Sequence, residues 1–155
     1  MPLFDAPRLV HAFDLDVALA PILEMGTGRA GTRRIIPIVG GTVTGDRIAG
    51  EILPLGADWQ TIWDNGTAEL DTRYAIRTDT GATIEVLNFG YRHGPAEIIA
   101  RIAAGEEVDP SRYYMRTQCR LETGDPRYGW VNTALFVGTG GRRASSVEIS
   151  VYEIV

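Results

Sequence analysis

Residues 59–91 read WQTIWDNGTAELDTRYAIRTDTGATIEVLNFGY. Three apolar-alternating runs stand in this stretch: Trp59 to Trp63, Glu69 to Thr78 and Ala82 to Tyr91. Leu70, Tyr74 and Ile76 share one parity of the middle run, which is the period-2 signature of a half-buried strand. The first break is Asp64-Asn65-Gly66, and Asn-Gly tolerates positive φ at both positions of a tight turn. The sequon Asn65-Gly66-Thr67 is therefore read as a turn rather than as a glycosylation site. The second break is Asp79-Thr80-Gly81. Three strands joined by two short turns make an antiparallel meander.

The same grammar continues in both directions. Arg8 to Val17 alternates, with His11, Phe13, Leu15 and Val17 on one face and Ala12, Asp14 and Asp16 on the other. Pro21 breaks that run, and Gly26 to Gly31 reads as a loop. Arg34 to Thr44 is a strand whose Pro37 cannot donate to a ladder and so marks an edge or a bulge. Gly40-Gly41 signals a bend. Gly45-Asp46 signals a two-residue turn into Arg47 to Leu53, where Gly50 suggests a kink or a close backbone approach. Pro95 at a first helical position, the stripe Ile98, Ile99 and Ile102, and Gly105 as a cap predict one short helix covering an end of the sheet. Arg112 to Thr123 sets Tyr113, Met115, Thr117, Cys119 and Leu121 against Tyr114, Arg116, Gln118, Arg120 and Glu122. Trp130 to Gly138 and Ala144 to Ile154 read as a closing hairpin through Gly140-Gly141. Roughly eight or more strands and one short helix in a single domain, residues 1–155, predict an all-β, closed antiparallel barrel, because closure removes sheet edges.

Composition narrows the function classes. The net charge of −5 and the lack of a Lys/Arg cluster argue against nucleic acid. No stretch approaches the roughly 18 apolar residues of a membrane span. Met1-Pro2-Leu3-Phe4-Asp5 does not begin a secretory signal, and the single cysteine, Cys119, cannot form an internal disulfide. These features fit a cytoplasmic protein. Glycine, at 18 of 155 residues, exceeds the usual share of about 7 % and falls between apolar runs, as turns and bulges require.

Gly26-Thr27-Gly28-Arg29-Ala30-Gly31 matches the dinucleotide fingerprint by letter, but that motif must open a helix and here it leads into Ile35-Ile36-Pro37. Two separated histidines, His11 and His93, and one cysteine offer no zinc spacing. No nucleophile elbow is present. No metal or cofactor is expected.

From Gly40 onward the chain resembles a known family. The run GGTVTGDRIAGEILPLGADW (40–59), with NGTAELDTRYAIRTDTGATIEVLNFGYRHGP (65–95) and YYMRTQCRLETGDPRYGWVNTALFVGTGGR (113–142), is similar to an uncharacterised bacterial family known as domain of unknown function 3237. The resemblance extends over residues 26 to 155. It implies a stand-alone small β-barrel with no established activity. The family's recurring polar and aromatic positions fall on Asp58, Trp59, Asp71, Arg73, Tyr74, Arg92, Tyr114, Arg116, Glu122, Trp130 and Asn132. Met115 stands where an aromatic is expected, and Cys119 where proline is common.

Small barrels either fill with side chains or hold a ligand at the mouth. Asp58, at a loop-to-strand junction, is either a general base or an acceptor for turn amides. Tyr74 is either core or a proton donor. Arg116 either lies on a charged outer face or turns its planar fork on an oxyanion. Asp58, Tyr74 and Arg116 are the candidate catalytic set; Trp59, Arg92, Tyr114, Trp130 and Asn132 are the candidate ligand contacts. Three function classes stay open. One is a metal- and nucleotide-independent lyase, hydratase or isomerase acting by acid–base chemistry on a small oxygenated or acidic metabolite. The second is a non-catalytic carrier of a small ligand. The third is a structural protein forming a homodimer.

Overall fold

The computed structural model describes all 155 residues. Ten strands follow in order: β1 (Leu9–Leu19), β2 (Leu23–Gly28), β3 (Gly31–Thr44), β4 (Gly50–Ile52), β5 (Ala57–Ile62), β6 (Ala68–Thr78), β7 (Thr83–His93), β8 (Tyr114–Glu122), β9 (Leu135–Arg142) and β10 (Ser146–Ile154). One α-helix, α1 (Ala96–Ala103), follows β7, and 3₁₀ turns occupy Pro110–Arg112 and Pro126–Thr133. Every strand pairing is antiparallel. The ring runs β1-β10-β9-β8-β7-β6, then through β4 and β5 to β3, which closes on β1. β4 and β5 share one place between β6 and β3, and β1 and β2 share the other edge of β3. The result is a closed eight-position barrel, as the alternation predicts.

β6 and β7 form the meander read from residues 59–91, in register from Ala68↔Arg92 to Arg77↔Thr83. Their turns differ in detail from the expected Asn-Gly geometry. Gly66 N donates to Trp63 O (2.9 Å), Gly66 alone has positive φ (+86°), and Thr67 N donates to Asn65 Oδ1 (3.0 Å). Gly81 repeats the arrangement, donating to Thr78 O with φ +90°. Each is a three-residue loop closed by a glycine bulge, so Asn65 serves as a side-chain acceptor and needs no left-handed backbone.

The upper end of the barrel is defined here as the end where β6 begins. The lower half is solid. Phe13, Val43, Ile48, Ile76, Ile84, Val86, Leu121 and Val151 belong to one buried cluster of 18 residues. Loop 45–49 is not the two-residue turn that Gly45-Asp46 suggested. It folds over the lower end with Ile48 as a stopper, and Asp79 N donates to Ala49 O (2.9 Å). Gly50 is the close approach its position suggested: a Cβ there would collide with Arg77 O.

Three other local expectations are corrected. Trp130 to Thr133 is not strand; it belongs to a 3₁₀ segment that starts at Pro126 with Asp125 Oδ1 accepting from Arg127 N (2.9 Å). Gly26 to Gly31 is not an open loop; β2 pairs with β3 in a hairpin, Gly28 opposite Gly31. His11 does not share the inner face of Phe13, because a bulge between them turns it outward, where Nε2 lies 2.9 Å from Asp14 Oδ1. Pro37, by contrast, does sit beside a bulge in the β1–β3 ladder. The helix is where the apolar stripe placed it. Ile98 and Ile102 pack with Leu70, Tyr113 and Met115 at the upper end. No helix is long and apolar enough to cross a membrane.

Candidate functional site

The upper half of the interior is hollow and polar. β5 begins at Ala57 and turns Asp58 and Gln60 inward, opposite Thr72 of β6. β6 adds Leu70 and Tyr74, β7 adds Asn88 and Arg92, β8 adds Met115 and Thr117, and β9 ends on Arg142. Together with Ile36, Ile38 and Ile149 these side chains enclose a cavity of about 40 Å³. That is room for about three water-sized groups, at ~10–15 Å³ each. Tyr74, Asn88, Arg92 and Thr117 are buried in its depth, while Asp58, Arg142 and Leu19 are half-buried toward its opening.

A hydrogen-bond chain runs along the wall. Arg34 Nε donates to Gln60 Oε1 (2.7 Å), Gln60 Nε2 donates to Asp58 Oδ2 (2.6 Å), and the backbone N–H of Asp71 donates to Asp58 Oδ1 (3.0 Å). The arginine fixes which way the Gln60 amide points, and the amide then presents N–H to the carboxylate. Burial pushes the Asp58 carboxyl above its ordinary range, although Gln60 and the Asp71 amide pull the other way. Burial also pushes the Tyr74 hydroxyl well up, so it is a protonated phenol at neutral pH.

Arginine dominates the electrostatics. Burial first, and the neighbouring Arg34 and Arg142 second, bring the Arg92 guanidinium down to about 10, still charged at pH 7. Burial likewise lowers Arg34 and Arg142. Three guanidinium groups thus surround Asp58, and Glu24 adds a second negative charge near Arg34. None of the three forms a salt bridge; the arginine ion pairs of this molecule are Arg47–Glu153, Arg101–Glu106, Arg127–Asp125 and Arg143 with Glu107 and Glu148. No group of three or more His, Cys, Asp or Glu side chains is placed to hold a metal ion.

Six buried side-chain polar atoms have no partner within the protein. Five of them belong to residues of this cavity: Tyr74 Oη, Asn88 Oδ1, Arg92 Nε, Thr117 Oγ1 and Arg142 Nη1.

Of the residues picked from the sequence, Asp58, Tyr74 and Arg92 meet here. The others stand elsewhere. Arg116 has the outward parity of β8; its Nη1 donates to Met115 O (2.9 Å), and its guanidinium lies 5.4 Å from the ring of Tyr114. Tyr114 is 44 % exposed, and Trp59, outward on β5, is 45 % exposed. Trp130 packs at the lower end against Phe136, with Arg47 3.5 Å above its ring. Asn132 clips the end of β8, accepting from Thr123 N and donating to Thr123 O (2.9 Å each). Gln60, Asn88, Thr117 and Arg142 were missed. Their signal was a polar residue on the inward parity of an otherwise apolar strand, such as Asn88 two residues after Val86.

Comparison with known proteins agrees with this architecture. The chain is 43 % identical over 145 residues to UPF0311 protein RPA1785 of Rhodopseudomonas palustris, covering 94 % of this chain and 95 % of that one. It superposes on a beta-barrel like protein from Acinetobacter baumannii with a TM-score of 0.87 at 41 % identity, over the whole of both chains. A crystal structure described as an enzyme from Penicillium herquei shares the fold, with a TM-score of 0.75 at 18 % identity over 100 % of this chain and 99 % of that one. The profile described as "Protein of unknown function (DUF3237)" matches residues 7–154, and the chain belongs to that family.

Proposed function

We propose that this barrel binds a small oxygenated metabolite in its upper cavity and acts on it by acid–base chemistry, as a lyase, hydratase or isomerase. The observation that carries the reading is the convergence of five unpartnered polar atoms on one cavity. A buried polar group left with no partner at all costs about 1–3 kcal/mol. Five such atoms around one cavity are therefore served from outside the chain, by water or by a ligand that displaces it. The fold is also that of the protein from Penicillium herquei that is described as an enzyme.

The roles follow from chemistry. Asp58 keeps lone pairs free beyond those given to Gln60 and the Asp71 amide, and its raised affinity for protons suits a base working near neutral pH. It removes a proton from carbon next to a carbonyl or hydroxyl-bearing centre. Arg92 stabilises the negative charge that develops on oxygen. Tyr74 returns a proton at a second position or to a leaving oxygen.

A non-catalytic carrier is the second reading, favoured by the apolar share of the wall: Ile36, Ile38, Leu70, Met115 and Ile149. The two separate by experiment. Metabolites that raise the thermal midpoint are incubated with protein in D₂O, and exchange at carbon is followed by NMR. The wild type exchanges, and Asp58→Asn binds but exchanges at least ~100-fold more slowly, the usual scale of general-base catalysis. The sign of the pH dependence is set by Asp58: exchange falls as pH falls through its raised pKa, because the protonated carboxyl is no base. Binding without exchange in the wild type makes the barrel a carrier.

A further inference from the structure

We infer that the ligand is an anion: a small, largely apolar molecule carrying one carboxylate or equivalent planar oxyanion, held by Arg92 and Arg142. This rests on the cavity being a ligand site and adds what that ligand must be.

The argument begins from a reversal of the usual rule. Buried charges are normally paired, and exposed ones need not be. In this molecule Arg47, Arg101, Arg127 and Arg143 pair with carboxylates at the surface. Arg92, 7 % exposed, and the half-buried Arg34 and Arg142 have no carboxylate within salt-bridge distance. Asp58 is near, but it lies beyond salt-bridge distance of all three, and its two oxygens accept from Gln60 and from the Asp71 amide. Arg34 is spent on Gln60. The unpartnered Nε of Arg92 and Nη1 of Arg142 remain on the cavity wall.

The rest of the wall says what else the ligand is. Tyr113 Oη accepts from the Arg142 backbone N–H (2.8 Å), which fixes the end of β9 that carries this side chain. Asp58 is the one carboxylate acting on Arg92 and Arg142, while Glu24 acts with it on Arg34, so the cavity keeps one uncompensated positive charge even when both are ionised. Ile36, Ile38, Leu70, Met115 and Ile149 cover the remaining surface and suit a hydrocarbon body. Guanidinium forks match planar carboxylate oxygens, and isolated donors spaced around a closed wall suit one such group rather than a polyphosphate.

The test needs no variant to begin with. Formate, acetate and propionate, small enough for the cavity, are each titrated against the matching primary amide, using NMR of the arginine Nε–H and methionine methyl signals. Expected are a shift of the Arg92 Nε–H and Met115 signals by at least one carboxylate. The matching amide binds at least ~10-fold more weakly, as a group that cannot accept a charge-assisted pair must. Arg92→Gln and Arg142→Gln each lose on the order of tenfold, while the exterior Arg116→Gln binds as wild type. Equal binding of acid and amide at Met115 overturns the anion and leaves the cavity site standing. No perturbation of Met115 by either series overturns both. Should Arg92→Gln not fold, the acid–amide comparison on the wild type still decides.

Discussion

On β7 the inward residues of the lower half are Ile84 and Val86, and those of the upper half are Asn88 and Arg92. On β6 the lower half has Ile76 and the upper half Thr72 and Tyr74; on β8 the lower half has Cys119 and Leu121 and the upper half Thr117. The same strands, in one continuous ladder, supply both sets. Below, side chains interlock and no buried side-chain nitrogen or oxygen lacks a partner. Above, hydroxyl, amide and guanidinium atoms go unsatisfied around a cavity. The backbone cannot cause this difference, since the pairing register is uninterrupted from Ala68 to Arg77. The side chains cause it. Stability is concentrated in the lower half, and the upper half sacrifices some of it to keep polar groups free.

The two halves therefore respond oppositely to truncation. Phe13, fully buried among Phe136, Val151 and Ile84, belongs to the lower half. Phe13→Ala leaves a large cavity and costs about 3–5 kcal/mol. For a chain of this size the thermal midpoint drops by roughly 10 °C, at about 2–4 °C per kcal/mol. A calorimetric drop of only a degree or two would erase the contrast.

Tyr74→Phe runs the other way. It removes an unpartnered buried hydroxyl and leaves the ring in place, so stability rises by about 1 kcal/mol, or ~2–4 °C. Ligand-linked proton exchange falls at the same time. A gain in stability coupled to a loss of function is the mark of a group kept for the ligand. A loss of stability in Tyr74→Phe would mean that the hydroxyl has a structural partner after all.

How far this division can be read from sequence depends on the kind of rule involved. Period-2 alternation is local, so the faces of β6 and β8 are plain from Leu70, Tyr74 and Ile76, and from Met115 to Leu121. A single inserted residue defeats it: the bulge after His11 turns that ring to the other side of the sheet. Trp130-Val131-Asn132 alternates like a strand, yet Asp125-Pro126 starts a 3₁₀ segment, and that capping signal outweighs the alternation. The site is harder for a different reason. Polar residues inside a barrel look like surface residues until the ring is closed. Asp58, Tyr74 and Arg92 stood out by residue type or family resemblance, whereas Gln60, Asn88 and Thr117 could be found only by asking which parity each strand turns inward. Arg142 adds a further demand, since its partners Val147 and Tyr113 come from separate elements.

Arg116 is the sharpest case of that ambiguity and gives the smallest expected effect. By type it is an oxyanion binder, and its neighbours Tyr114 and Gln118 share its face. Met115 and Thr117 on either side line the cavity, so the pleat sends Arg116 to the outside. There it bonds only to the carbonyl of Met115 and leans toward the Tyr114 ring in solvent. Arg116→Ala should therefore change stability by no more than ~0.5 kcal/mol, as exposed substitutions usually do, and leave ligand affinity within about twofold. Arg92→Ala, one strand away across the β7–β8 ladder and opposite Met115, should abolish binding. Two arginines on neighbouring strands, pointing to opposite faces of one sheet, make a control in which charge and distance along the barrel are matched and only the facing differs. Similar losses from both substitutions would place the ligand outside the barrel, against the β7–β9 face where Tyr91, Tyr114 and Arg116 lie, and would return the interior to the status of a polar core.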